Sequence, residues 1–170
     1  QEATMPIEVR PVGTGEFFPW HAAYTGYGEF YETPLHDEKA VLVWSWIIDP
    51  SHELECLVAV EQGDDGDEIV GLAHFREFAR PLEGNRGIHL DDLFVLPEKR
   101  TGGVGRALIE GVYAVGRERG IAFGFVSGYS DTLDFPPDLR HVPLLNKPFD
   151  EQSMRLFVER LTAVGRSSAM

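Results

Sequence analysis

Between Ile7 and Arg10 apolar and polar residues alternate with a period of two, the pattern of a strand with one covered face, and Pro11, Gly13 and Gly15 interrupt it. From Glu16 to Tyr31 the period changes: Phe17, Trp20, Tyr24, Tyr27 and Tyr31 recur every three or four residues, which places them on one face of a helix loosened by Gly26 and Gly28. A second helix is expected over residues 36–48, where Asp37 and Glu38 suit the positive N-terminal end and Asp49-Pro50 closes it. Residues 54–61 and 68–79 are rich in Val, Ile, Leu, Ala and Phe and flank a polar turn cluster at 62–67, which predicts a β-hairpin. A second turn cluster, 81–87, leads into a strand over 88–96 that Pro97 ends. The helical period returns over 103–119, with Val104, Leu108, Val112 and Val115 on one face and Gly120 as the C-terminal cap. A short strand is expected over 122–127, then a turn-rich piece over 128–140 with a short helix, and a strand over 142–145. Asp150 stands as the N-cap of a last helix striped by Met154, Phe157, Val158, Leu161 and Val164, with Gly165 beyond its end. The order β-α-α-β-β-β-α, then β-α-β-α, describes an α/β protein whose last part is wired in parallel.

Composition narrows the class. At 170 residues, 43% hydrophobic and 25% charged, the chain fits one globular domain, residues 1–170, and not a disordered one. A net charge of −13 repels polyanions, so nucleic acid is not expected as a partner. The same field attracts cationic amines, although acidity also simply confers solubility. Cys56 is the sole cysteine, so there is no internal disulfide and no thiolate cluster, which suits a reducing cytoplasm; its apolar setting reads as a buried strand thiol. No apolar run approaches membrane-spanning length and no basic-then-apolar leader opens the chain, so a cytoplasmic protein with no membrane partner is expected. Met5-Pro6 resembles a natural start, and the four residues before it are not expected to belong to the fold. Histidines stand at 21, 36, 52, 74, 89 and 141 without helical i, i+4 pairing or a neighbouring cysteine, and no metal site is expected.

The strongest chemical signal is Arg100-Thr101-Gly102-Gly103-Val104-Gly105-Arg106, set between a strand and a helix, where free backbone N–H groups and the helix dipole converge on an anion. Three glycines let the main chain approach a phosphate closely, and the two arginines carry charge-assisted donors. No Lys-Ser or Lys-Thr follows, which excludes a Walker-type nucleotide loop, and the fingerprint of dinucleotide sites is missing as well.

Residues 90–108, Leu-Asp-Asp-Leu-Phe-Val-Leu-Pro-Glu-Lys-Arg-Thr-Gly-Gly-Val-Gly-Arg-Ala-Leu, resemble the central motif of the GNAT N-acetyltransferases, with its R-x-x-G-x-G core on Arg100, Gly103 and Gly105. The likeness extends over about residues 5–120. It implies a mixed sheet flanked by helices, with acetyl-CoA as co-substrate and its pyrophosphate held by Arg100, Thr101, Gly102, Gly103, Val104, Gly105 and Arg106. The pantetheine arm would lie along Leu93, Phe94 and Val95, and backbone amides around Phe94 and Val95 would polarise the thioester. Leu90-Asp91-Asp92-Leu93-Phe94-Val95 is similar to the Leu-Glu-Asp-Phe-Phe-Val form of polyamine acetyltransferases, which implies Asp91 as the base that takes the amine proton. Asp91 is one methylene shorter than the family's Glu and would act through a water; adjacent Asp92 must point to the opposite face of the strand. His89 shares the face of Asp91, and Trp20, Tyr24, Tyr27 and Tyr31 read either as core or as lining of the acceptor pocket.

Beyond Gly120 the family's Asn and its Leu-Tyr-x-x-x-Gly-Phe helix are missing. Phe123 to Tyr129 and Val142 to Asp150 resemble instead the C-terminal part of a response-regulator receiver domain over about 121–165, with Ser127 on its hydroxyl position and Lys147-Pro148 on its Lys-Pro step. The receiver's acidic pair and phosphoacceptor have no counterpart here, so the resemblance implies a fusion near Gly120 and not a phosphorelay. Tyr129 follows the strand from which the family's general acid comes and is the candidate acid, with solvent as the other source of the proton. The resulting expectation is an amine N-acetyltransferase acting on a small molecule or protein, in monomeric or homodimeric form. A non-catalytic acyl-CoA-binding module and an inactive recombined scaffold remain the alternatives.

Overall fold

A computed structural model describes residues 6–121, 125–127, 144–146 and 150–167. Two compact units emerge: Gln1–Phe78 with His89–Val112, and Ala79–Ile88 with Tyr113–Met170. In the first, β1 (Ile7–Pro11) pairs antiparallel with β2 (Leu54–Glu61), Ile7 opposite Glu61, and β2 pairs antiparallel with β3 (Glu68–Arg80), Leu54 opposite Arg76. β4 (Asn85–Val95) follows β3 and is the outer strand of this four-stranded sheet, ordered β1-β2-β3-β4.

Burial explains why β2 and β3 read as continuous apolar runs. Cys56 to Val60 are buried without alternation, as are Ile69 to Phe75, because both sheet faces are covered. One face meets α1 (Phe17–Phe30) and α2 (Asp37–Ile48), whose Trp20, Ala23, Ala40, Val43 and Trp44 pack on Cys56, Val58, Val60, Leu72 and Phe94. The other meets α3 (Val104–Glu118): a Cβ on Gly71 would lie 3.1 Å from both Leu108 and Val104 and 2.9 Å from the Phe94 carbonyl. Glycine at 71 therefore lets α3 and β4 close on β3 directly behind the glycine loop.

Gly26 and Gly28 do not loosen α1, which is unbroken. The ring of Phe94 lies within 3.3 Å of where a Gly26 Cβ would stand, and the Thr33 carbonyl within 2.7 Å of that of Gly28. Both glycines are close-approach positions, and the second lets the segment linking α1 to α2 fold back on the helix through Glu32 at φ 55° and a Thr33 N–H bond to the Gly28 carbonyl.

No side chain caps α1; Glu16 at that position is held by Arg10 and accepts from the Gly13 N–H. The Arg10 hydrogen bond outweighs burial, and the Gly13 amide adds to it, bringing the Glu16 carboxyl from 4.5 down to about 2. A depressed carboxyl stabilises the fold above its unfolded value and loses that contribution as pH falls through the folded one. Glu16→Gln is thus expected to lower Tm at neutral pH, with the gap to the parent protein closing between pH 4.5 and about 2. A gap independent of pH in thermal melts would assign the effect to packing.

In the second unit β5 (Phe125–Ser127) pairs in parallel with β6 (Leu144–Asn146), Phe125 opposite Leu144, and α4 (Glu151–Ser167) follows. Asp150 is its N-cap, accepting the Ser153 N–H at 2.8 Å. Gly165, expected past the end, lies inside the helix. β4 starts at Asn85 and not at residue 88, because the turn is tighter than its polar residues suggest: Gly84 at φ 65° closes it in four residues, 81–84. The short helix expected within 128–140 lies outside the described residues. Among the described residues, no helix is long and apolar enough to cross a membrane.

Candidate active site

The glycine loop leaves β4 at Val95, makes one 3-10 turn over Pro97–Lys99 and enters α3. It is tied to the sheet by the Leu96 N–H bond to the Val70 carbonyl, 2.9 Å. Gly103 has φ 79°, a conformation side chains rarely adopt, and its carbonyl accepts the Ala107 N–H as the first helical bond. The amides of Val104, Gly105 and Arg106 therefore occupy the first turn, where helices have no carbonyl partner of their own. Arg100 donates Nε to the Val95 carbonyl at 3.1 Å and lies over the rings of Phe30, 4.9 Å, and Phe94, 5.7 Å, which clamps the loop to α1 and β4. Arg106 Nε is paired with Glu110 one helical turn on, 2.9 Å away. Thr101 and Gly102 lie exposed in the turn between them.

The two aspartates of β4 have different surroundings. Asp91 accepts from Arg76 Nε through both oxygens, 3.1 and 3.2 Å, and lies 3.2 Å from His89 Nδ1. Its charge is compensated in an open, partly solvated setting. Asp92 is deeper: its Oδ2 accepts from Tyr24 Oη at 3.2 Å and from His74 Nδ1 at 2.9 Å, and Tyr27 also interacts with it. Burial alone would raise the Asp92 carboxyl, but bonds from His74, Tyr27 and Tyr24 together hold it below the ordinary carboxylate value. Burial and the charge of Asp92 push both tyrosine hydroxyls up, so they stay protonated donors.

Asp92 lines a cavity of about 340 Å³ with Tyr24, Tyr27 and Tyr31 of the α1 face, Gly28, Thr33, Pro34 and Leu35 of the folded-back link, and Lys39 of α2. The aromatic stripe is therefore divided: Trp20 is fully buried core, and the three tyrosines wall a pocket. Cys56 is a buried strand thiol whose acidity is suppressed by burial and by the nearby Asp92 charge.

Sequence reasoning missed His74. It is 1% exposed, the one buried polar residue among the described core positions. The signal available was a histidine in the run Val70-Gly71-Leu72-Ala73-His74-Phe75, because an imidazole placed among apolar residues needs partners for both nitrogens. Tyr129 and Lys147 lie outside the described residues; Ser127 ends β5.

A family model described as the acetyltransferase (GNAT) family matches residues 10–127. The D-amino-acid N-acetyltransferase HPA3 of Saccharomyces cerevisiae is 32% identical over 114 residues, 67% of this chain and 70% of that protein. Among solved structures, the fold is similar to a ribosomal-protein-alanine N-acetyltransferase of Brucella melitensis biovar Abortus, with a TM-score of 0.57, 16% identity, and 91% and 89% of the two chains covered. It is also similar to the aminoglycoside N-acetyltransferase AAC(6')-Iy in complex with CoA, with a TM-score of 0.59, 15% identity, and 94% and 88% covered.

Proposed function

The chain belongs to the GNAT acetyltransferase family and is an N-acetyltransferase that uses acetyl-CoA as co-substrate, and we propose how its residues divide the transfer to an amine. In that reaction a C–N bond forms, the thioester C–S bond breaks, the amine loses a proton and the leaving thiolate gains one. The pyrophosphate is assigned to residues 100–106, which the left-handed Gly103 and the first-turn amides of α3 support. The pantetheine arm is assigned to Leu93, Phe94 and Val95, at the end of the strand that is outermost in the sheet among the described residues, a position suited to backbone pairing. The amides around Phe94 and Val95 polarise the thioester carbonyl.

The acceptor is assigned to the tyrosine cavity. The observation that carries this is Asp92, a carboxylate hydrogen-bonded by an imidazole and hydroxyls inside an aromatic cavity on the strand that leads to the glycine loop. The volume suits a small amine, and the D-amino-acid acetyltransferase relative supports the same size of acceptor. Proton acceptance is assigned to Asp91 by motif register, with His89 beside it as the next station toward solvent. A second assignment, to Asp92, is favoured by its place in the cavity wall. The thiolate proton comes from Tyr129 or from solvent.

Steady-state kinetics with a panel of D-amino acids, an aminoglycoside and a peptide amine test this. Asp91→Asn is expected to lower kcat by about 100-fold with little change in amine KM, the size of a lost general base. Asp92→Asn is expected to raise amine KM by about 30-fold through loss of a charge-assisted contact. The opposite pattern moves the base to Asp92, and two unaffected variants refute the cavity as acceptor site.

We propose further that both compact units form one catalytic domain, which the family match across residues 10–127 supports. For residues 121–165 a receiver-like ending joined near Gly120 is proposed on the parallel β5–β6 pair followed by α4. The free, buried thiol of Cys56 fits a reducing cytoplasm.

A further inference from the structure

We propose that Trp20 and His74 are positioning residues for the acceptor: they fix Asp92 as an ionised anchor in the cavity, so that the amine is taken up as its ammonium ion. This rests on the cavity being the acceptor site.

The argument begins at the buried end. Trp20 is 0% exposed and its indole nitrogen is a donor only, and it lies 2.9 Å from His74 Nε2. His74 Nε2 must therefore present its lone pair, and in the neutral ring the proton sits on Nδ1, 2.9 Å from Asp92 Oδ2. The opposite tautomer would set N–H against N–H at Trp20 and a lone pair against the carboxylate at Asp92. Two repulsive contacts at a ring that is 1% exposed exclude it. The hydrogen-bond chain thus has one direction, from the indole through the imidazole to the carboxylate.

Asp92 then receives Tyr24 from α1 as well, while Tyr27 adds its interaction. All three are hydrogen-bond donors to an anion, and the two tyrosines also line the cavity. Asp91, by contrast, already has the Arg76 guanidinium. An incoming ammonium gains a charge-assisted contact at Asp92, which among the described residues has no ion pair to Arg or Lys, within a cavity walled by tyrosines. The other ionisable groups around Asp92 are Cys56 from β2, kept neutral by burial, Tyr31 and Lys39 in the cavity wall, and Asp91, its neighbour on the opposite face of the strand. Anchor and proton acceptor are then separate groups, and the ammonium is held until its proton departs.

His74→Phe keeps a buried ring and removes the donor, and His74→Asn returns an amide donor at the Nδ1 position. Acceptor KM, acetyl-CoA KM and the pH profile of kcat/KM for the acceptor are measured for each. His74→Phe is expected to raise acceptor KM about tenfold, in line with one hydrogen bond to a charged group, and to move the acidic limb upward as Asp92 loses a stabilising donor. His74→Asn should recover part of both, with acetyl-CoA KM steady throughout. A His74→Phe protein with lowered Tm but unchanged acceptor KM and acidic limb overturns the proposal. If Asp92→Asn also leaves acceptor KM unchanged, the cavity assignment falls with it; if Asp92→Asn raises KM and His74→Phe does not, only this inference falls. Should His74→Phe fail to fold, ¹⁵N NMR of the histidine ring in the unmodified protein decides: Nδ1–H supports the proposal, and Nε2–H or an imidazolium refutes it.

Discussion

Trp20→Ala is expected to remove about 4 kcal/mol of folding stability and lower Tm by about 10 °C, the range of a large aromatic deleted from a core. The indole is fully buried and its ring neighbours are Phe17 at 6.0 Å, Tyr24 at 5.3 Å, Trp44 at 5.1 Å and His74 at 5.9 Å. These join α1 and α2 to β3 in one cluster, so a cavity there has little means of collapsing. The substitution also orphans His74 Nε2 in the core, which adds a desolvation cost. Trp46→Ala is the control: that ring is 37% exposed and stacks on His52 at 5.2 Å, so its loss is expected to cost less than about 1 kcal/mol. Urea unfolding of both proteins measures the difference. Equal losses would mean that Trp20 does not anchor α1 to the sheet.

The aromatic stripe that contains Trp20 was readable because its spacing of three and four is a property of the helix itself. Which ring would be core and which pocket wall was not readable, since that depends on depth: Trp20 sits over β3, whereas Tyr24, Tyr27 and Tyr31 stand progressively toward the folded-back link. The turn of the glycine loop was readable for the opposite reason, because it lies in backbone conformation, and glycine adopts the φ 79° of position 103 without strain. The aspartate pair fell between these cases. Strand alternation states that Asp91 and Asp92 part ways, but not which one meets the tyrosines. That was decided by His74 on β3 and Tyr24 on α1, 18 and 68 residues from Asp92 in sequence. Long-range partners of this kind leave no local periodicity. A buried histidine in an apolar strand was the one trace, and it points to the need for partners without naming them.

That division between backbone-encoded and partner-encoded features makes the loop the best place to separate binding from folding. Gly105→Val is expected to weaken acetyl-CoA binding by about 100-fold in calorimetric titration while changing Tm by only about 1–2 °C. A Cβ at Gly105 would meet only Val95 Cγ2, at the ordinary contact distance of 3.6 Å, so the free protein accommodates a side chain there. A pyrophosphate held as proposed would not be accommodated, because its oxygens would have to come within hydrogen-bond distance of the first-turn amides of α3, where a branched side chain would stand over them. Losing two charge-assisted bonds of this type corresponds to roughly the factor given. Gly103→Ala makes the complementary case: nothing lies within 4 Å of its Cβ, but φ 79° strains any residue with one. Its stability is expected to fall by about 1 kcal/mol, and its affinity to fall only as far as the loop relaxes. If Gly105→Val binds acetyl-CoA as tightly as the unmodified protein, the pyrophosphate does not sit on this loop, and the assignment of residues 100–106 must be withdrawn even though the family membership stands.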